Sequence, residues 1–150
     1  MQEFEEITKS ITINSDQETI YNFCMEPENL AGVLESFAKI TPEGKKKLHW
    51  KVGDVLGLSV EWDSTLSGTP YKKIVCKSIG ESALENEMTL DFKKSGDSTV
   101  VAIHIKHVAF GTLIEKAIET LTGMDPQQVV DQSLKNLKKS IEEMSQVETL

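Results

Sequence analysis

Apolar and polar residues alternate with period two over much of this chain, and the spacing lengthens to three and four in only a few places. Ile7, Ile11 and Ile13 share one parity, which predicts a first strand over Phe4 to Ile13 ending at Asn14-Ser15. Ser15 and Glu18 then form an S-x-x-E capping box, opening a helix with Ile20, Phe23 and Cys24 on one side. Pro27 starts a second short helix, PENLAGVL, with Gly32 near its end. From about Ser36 to Val108 the period is two, broken at Pro42-Glu43-Gly44, Gly53-Asp54, Ser67-Gly68-Thr69-Pro70, Gly80-Glu81 and Ser95-Gly96-Asp97. Six strands joined by hairpins, an antiparallel meander, are therefore expected.

After Phe110-Gly111 the period becomes helical. Ile114, Ala117, Ile118 and Leu121 line one face until TGMDP interrupts it; Asp125 caps a restart with Pro126 at its first position. Beyond it Val130, Leu134, Leu137, Ile141 and Met144 form an apolar stripe, and Asp131 with Lys135 makes an i,i+4 pair on the wet side. The plan is a strand, two short helices, six strands and one long C-terminal helix. Such a helix buries its stripe against the apolar face of the sheet.

Pairing the strands tests which face is which. A turn centred near Val55 sets Leu48 against Trp62, Trp50 against Val60 and Val52 against Leu58, with Lys47 meeting Asp63 and His49 meeting Glu61 on the other face. A slip by one residue would oppose each apolar side chain to a polar one. Across a Ser95-Gly96 turn, Met88, Leu90 and Phe92 share a face with Val101, Ile103 and Ile105. In the strand between, Ile74 and Cys76 are favoured as inward, against a competing face of Val75 and Ile79. The inner face then holds Trp50, Val60, Trp62, Met88, Leu90, Phe92, Ile103 and Ile105, with Ser64, Asn86 and His107 as its polar exceptions. An apolar surface with a few convergent polar groups is the composition of a ligand pocket, and equally of a filled core.

The segment GLSVEWDSTLSG carries the most suggestive chemistry. Glu61 and Asp63 stand roughly 7 Å apart on one face of a strand, a spacing compatible with acid/base work on a glycosidic bond. Parity turns them away from the apolar face, toward Lys47 and His49, where a carboxylate in water has no cause for a raised pKa. His107 is the better candidate for chemistry: it ends an inward row and could bond a ligand carbonyl or move a proton near neutral pH. The competing reading is a strand-end histidine bonded to backbone or solvent.

Composition narrows the class. A formal charge of −8 over 150 residues argues against a nucleic-acid partner, and the only basic run, Lys45-Lys46-Lys47, reads as a solvated hairpin. Cys24 and Cys76 lie in apolar patterns typical of reduced, buried thiols and form no CxxC pair. The N-terminus lacks the layout of a signal peptide, and no apolar run approaches the roughly 20 residues of a membrane span. The expectation is one soluble, cytoplasmic domain over residues 1–150.

Three stretches together resemble the START-like helix-grip superfamily, also called SRPBCC, in its polyketide cyclase/dehydrase branch. They are SITINSDQETIYNFCMEPENLAGVL, LHWKVGDVLGLSVEWDSTLSG and GTLIEKAIETLTGMDPQQVVDQSLKNLKKSIEE, and the likeness runs over roughly residues 4 to 145. The resemblance implies an α+β helix-grip fold: a seven-stranded curved antiparallel sheet around a long C-terminal helix, two short helices after the first strand, and a hydrophobic cavity between sheet and helix. Members bind lipids, sterols, plant hormones, polyketides or ubiquinone, and only some are enzymes. The chain departs from several branches. TPEGKKK has a single glycine where the pollen-allergen branch has a glycine-rich loop. Among His49, His104 and His107, the last two fall on opposite faces, so the iron triad of the oxygenase branch is not assembled and no metal or cofactor is implied. Few polar groups are present to steer a polyketone.

The resulting expectation is binding, transport or sequestration of a hydrophobic small molecule such as a lipid, isoprenoid or polyketide-like compound. Its lining is expected to be Trp50, Val60, Trp62, Ser64, Cys76, Asn86, Met88, Leu90, Ile103, Ile105 and His107 from the sheet. Ile114, Ile118 and Leu121 would close the cavity, as that part of the helix does in the family. Two alternatives stand beside it: a polyketide cyclase or dehydratase using His107 as acid/base, and a partner-binding module with a vestigial cavity.

Overall fold

The computed structural model describes residues 4–35, 38–55, 58–79, 86–108 and 126–148, with side chains over 6–35, 38–51, 61–79, 86–106 and 127–144. Ile114, Ala117, Ile118, Leu121 and Asp125 lie outside the described residues.

The chain runs β1 (Phe4–Ile13), α1 (Gln17–Met25), α2 (Pro27–Val33), β2 (Lys39–Pro42), β3 (Lys47–Val55), β4 (Leu58–Thr69), β5 (Lys73–Ile79), β6 (Asn86–Ser95), β7 (Ser98–Val108) and α3 (Pro126–Glu148). The strands form one sheet in the order β1-β7-β6-β5-β4-β3-β2, and each neighbouring pair is antiparallel. This is the α+β helix-grip architecture: a seven-stranded antiparallel sheet, two short helices after β1 and a long C-terminal helix. Pro42, which lacks a backbone N–H, sits on the edge strand β2, where the sheet tolerates it.

Parity sorts the faces as the sequence predicts. Leu48, Trp50, Trp62, Leu66, Met88, Leu90, Phe92, Val101 and Ile103 are buried, as are Val130, Leu134, Leu137 and Ile141 of α3. Each large apolar side chain so buried contributes roughly 1.5–3 kcal/mol. The ambiguous strand resolves in favour of Ile74 and Cys76, both buried, while Ile79 is exposed.

Several local expectations are corrected. The β3–β4 ladder is shifted by two residues: Trp50 faces Trp62, Val52 faces Val60 and Leu48 faces Ser64, while Lys47 faces Thr65 and His49 faces Asp63. Continued without interruption from the Val55–Leu58 pair, the ladder would set Val52 against Glu61, Trp50 against Asp63 and Leu48 against Thr65. An irregularity between Val52 and Val55 restores the parity, so Gly53-Asp54 lies inside β3 and does not break it. Gly68 likewise lies inside β4; a Cβ there would overlap the Tyr21 hydroxyl, so the glycine lets α1 press its tyrosine onto the strand.

The cap of α1 is Asp16, whose carboxylate accepts from the Thr19 amide at 2.7 Å, so the S-x-x-E box is not used. Ser15 serves the strand instead: its amide donates to the Ile13 carbonyl and its carbonyl accepts from the Thr99 hydroxyl. Met144 is 37% exposed, so the α3 stripe ends at Ile141. Asp131 pairs with Lys9 of β1 at 3.7 Å rather than with Lys135.

Helix α3 is fastened along edge strand β1. Asp131 meets Lys9, Lys138 Nζ donates to the Thr12 carbonyl at 2.8 Å, and Glu142 accepts from the Asn14 amide at 3.2 Å. Eleven helical steps and five strand steps each cover about 16–17 Å, so these contacts stay in step along both elements.

Candidate functional site

The inner face of the sheet differs from end to end. In its middle, Cys24 and Leu30 from α1 and α2, Met88, Leu90 and Ile103 from the sheet, and Ser133, Leu134 and Leu137 from α3 converge on a void of about 10 Å³. A void of that size has room for about one water, which needs two to four polar partners. The one polar lining group, the Ser133 hydroxyl, donates to the Val129 carbonyl at 3.0 Å. This part of the face is a filled core. Ser133 was absent from the sequence expectation, although it lies on the same helical stripe as Val130 and Leu137.

Toward the other end the polar exceptions gather. Ser64 is fully buried on β4 and faces Ser78 of β5. The Asn86 backbone N–H donates to the Ser78 hydroxyl oxygen at 3.0 Å, and Asn86 stands opposite His107, which in turn faces Glu5 of β1. The register thus lays Ser64, Ser78, Asn86 and His107 in sequence across four adjacent strands. Ser78 went unnoticed in the sequence because its strand had two plausible faces. The backbone of His107 and the Val60–Val52 pair are described; their side chains are outside the described set.

One rung further along, Trp50 and Trp62 stack with ring centroids 5.4 Å apart and planes 14° from parallel. The Trp50 Nε1–H donates to the Ser64 hydroxyl oxygen at 2.7 Å. Trp62 is 7% exposed, and among the described residues its Nε1–H has no acceptor. The expected lining residues therefore divide. Trp50, Trp62, Ser64 and Asn86 cluster at the polar end, whereas Met88, Leu90 and Ile103 surround the central void. Cys76 faces Met88 and Leu66, and Ile105 faces Met88 and packs partly buried against the core.

Neither cysteine is poised as a nucleophile. Burial pushes both thiols up to about 12, with the nearby Cys76 adding to the effect on Cys24.

The carboxylates that drew attention in the sequence lie on the opposite, outer face. His49 Nδ1 is 2.8 Å from Asp63 Oδ1 and its Nε2 is 3.1 Å from Glu61 Oε1. Hydrogen bonds to Asp63 and then Glu61 favour the charged ring and raise the His49 pKa, and an imidazolium donates to both at once. Glu43, His49 and Asp63 bring ligand atoms within 4.8 Å of one another, a grouping able to hold a cation. Lys47 already supplies a positive charge there, 3.7 Å from Glu43 and 3.9 Å from Asp63. His104 is also on the outer face, bonded to Thr8 at 2.7 Å.

No family model and no curated protein matches the chain in sequence. Its fold, however, is shared with solved structures. A Deinococcus radiodurans protein superposes with a TM-score of 0.68 at 18% identity, covering 90% of this chain and 95% of that one. The Zhui aromatase/cyclase from Streptomyces sp. R1128 gives 0.61 at 13% identity, covering 93% and 94%. The di-domain ARO/CYC protein StfQ of the steffimycin biosynthetic pathway gives 0.67 at 15% identity; 95% of this chain matches 52% of that one. The chain therefore shares the helix-grip fold of these structures. No helix among the described residues is long and apolar enough to cross a membrane.

Proposed function

We propose that this protein binds a hydrophobic small molecule, such as a lipid, isoprenoid or polyketide-like compound, on the inner face of its sheet at the Trp50–Trp62 end. The observation that carries this reading is the division of that face. Its middle is closed by side-chain packing, while buried polar groups and a stacked tryptophan pair collect one rung away. A filled core has no need of such groups, whereas a ligand site uses them to fix orientation while burial of apolar surface supplies the affinity. Val60, Cys76, Met88 and Ile105 would flank the molecule, with Leu90 and Ile103 forming its floor. Ile114, Ile118 and Leu121 are proposed as its cover on the resemblance alone.

The test is native mass spectrometry of the protein purified from its host. The expected result is a non-covalent adduct of an apolar compound on the wild type and none on folded Trp62→Arg. Undiminished retention by that variant would place the ligand elsewhere.

An enzymatic reading, with His107 as acid/base in a cyclase or dehydratase, has narrower support. It draws on the position of His107 opposite Asn86 and on the names of two neighbours that share the fold. Fold alone does not carry function. Binding is the reading preferred here.

A further inference from the structure

A buried donor without an acceptor is uncommon, and it costs about 1–3 kcal/mol when left unmet. The indole of Trp62 carries one such donor and has no acceptor function of its own. On the same strand face the Ser64 hydroxyl oxygen accepts from Trp50 at 2.7 Å and makes no bond to Trp62. Stacking on Trp50 holds the Trp62 ring in its plane, and the Ser64 bond holds Trp50. The result is a rigid, dry N–H fixed before any ligand arrives, which is the condition under which one hydrogen bond gives most discrimination.

The surroundings restrict what can meet it. Among the described residues, the buried side chains that share this face with Trp62 on β3, β4 and β5 are Leu48, Trp50, Ser64, Leu66, Ile74 and Cys76, and none of these is cationic. Lys9, opposite Ile103 on the edge strand β1, is paired with Asp131. Among these side chains a carboxylate or phosphate would meet no counter-charge to offset its desolvation cost. A neutral oxygen avoids that cost. The stacked indoles favour a flat, unsaturated frame beside them.

We infer that Trp62 Nε1–H is the orienting donor for a neutral planar carbonyl compound, bonding its oxygen. This rests on the reading that the inner face takes up a hydrophobic molecule, and it adds the chemical class of that molecule and the atom that recognises it.

Two probes of one shape test it: methyl naphthyl ketone, and isopropenylnaphthalene, in which a CH₂ replaces the oxygen. The wild type is expected to bind both, the ketone about tenfold more tightly. The chain has two tryptophans, so Trp50→Phe assigns both indole signals in a proton–nitrogen correlation spectrum. Only the ketone should move the Trp62 N–H proton downfield. In Trp62→Phe the two affinities should converge to within about twofold, because the remaining contacts are alike. A bound ketone that leaves the Trp62 signal in place, or a preference that survives in Trp62→Phe, overturns the inference while leaving the binding reading intact. If neither probe binds the wild type, the binding reading itself fails and this inference falls with it. The indole signal is read on the wild-type chain, so the test does not depend on the variant folding.

Discussion

Two consecutive rungs of the β3–β4 ladder, His49–Asp63 and Trp50–Trp62, point to opposite faces of the sheet and meet opposite conditions. On the outer rung, His49 lies between two carboxylates with water at hand, and each ring nitrogen faces an oxygen. On the inner rung the groups are neutral and nearly dry, and one donor is left over. The residue types that advertise chemistry are on the first; the unmet demand is on the second. Solvent explains the difference. Exposed charges find partners or water wherever they are, so their clustering says little, whereas a buried donor has only what the fold or a ligand brings to it.

The contrast can be broken most forcefully through packing. Leu48 is fully buried beside the inner rung, and Leu48→Ala is expected to cost about 2–5 kcal/mol in urea unfolding. Lys47→Ala on the neighbouring outer position should stay within about 0.5 kcal/mol. Similar losses for the two would erase the distinction between the faces.

A finer comparison sets the tryptophans against each other. Both replacements by Phe remove similar volume, but only Trp50→Phe takes away the donor to the buried Ser64. In the free protein it should cost about 1–2 kcal/mol more than Trp62→Phe, which removes a donor with no partner. Equal costs would mean that the Trp62 N–H is satisfied in solution.

The smallest effect belongs to the outer rung. Because folding raises the His49 pKa above its ordinary 6.5, its contribution is fully present below that value and is lost as pH rises through the higher folded-state value. The group is exposed, so the wild type should exceed His49→Gln by only a few tenths of a kcal/mol at about pH 5.5, and by nothing at about pH 9. An advantage that grows with pH would contradict the pairing.

These particulars show how far the sequence could be read. Parity was enough to assign Trp50, Trp62 and Ser64 to one face and His49, Glu61 and Asp63 to the other, because a period of two is a local property. Which residues meet across the ladder was not local. It turned on one irregularity between Val52 and Val55, which no hydrophobic pattern marks. The cap falls one residue later because the Asp16 carboxylate takes the Thr19 amide, while the Ser15 backbone is tied to the Ile13 carbonyl and to Thr99, far away in the chain. The unsatisfied indole was invisible for a related reason: it depends on Ser64 choosing Trp50 over Trp62, two donors that look alike in a row of letters.

Strand β1 has a further consequence for how the protein comes into being. It leaves the ribosome before the other six strands, yet its ladder partner is β7, and its side-on fastenings come from Asp131, Lys138 and Glu142. Both partners are synthesised some hundred residues later. Of the seven strands, the earliest made is thus among the last to be placed, and until they pair β1 and β7 each carry an unpaired edge facing the other.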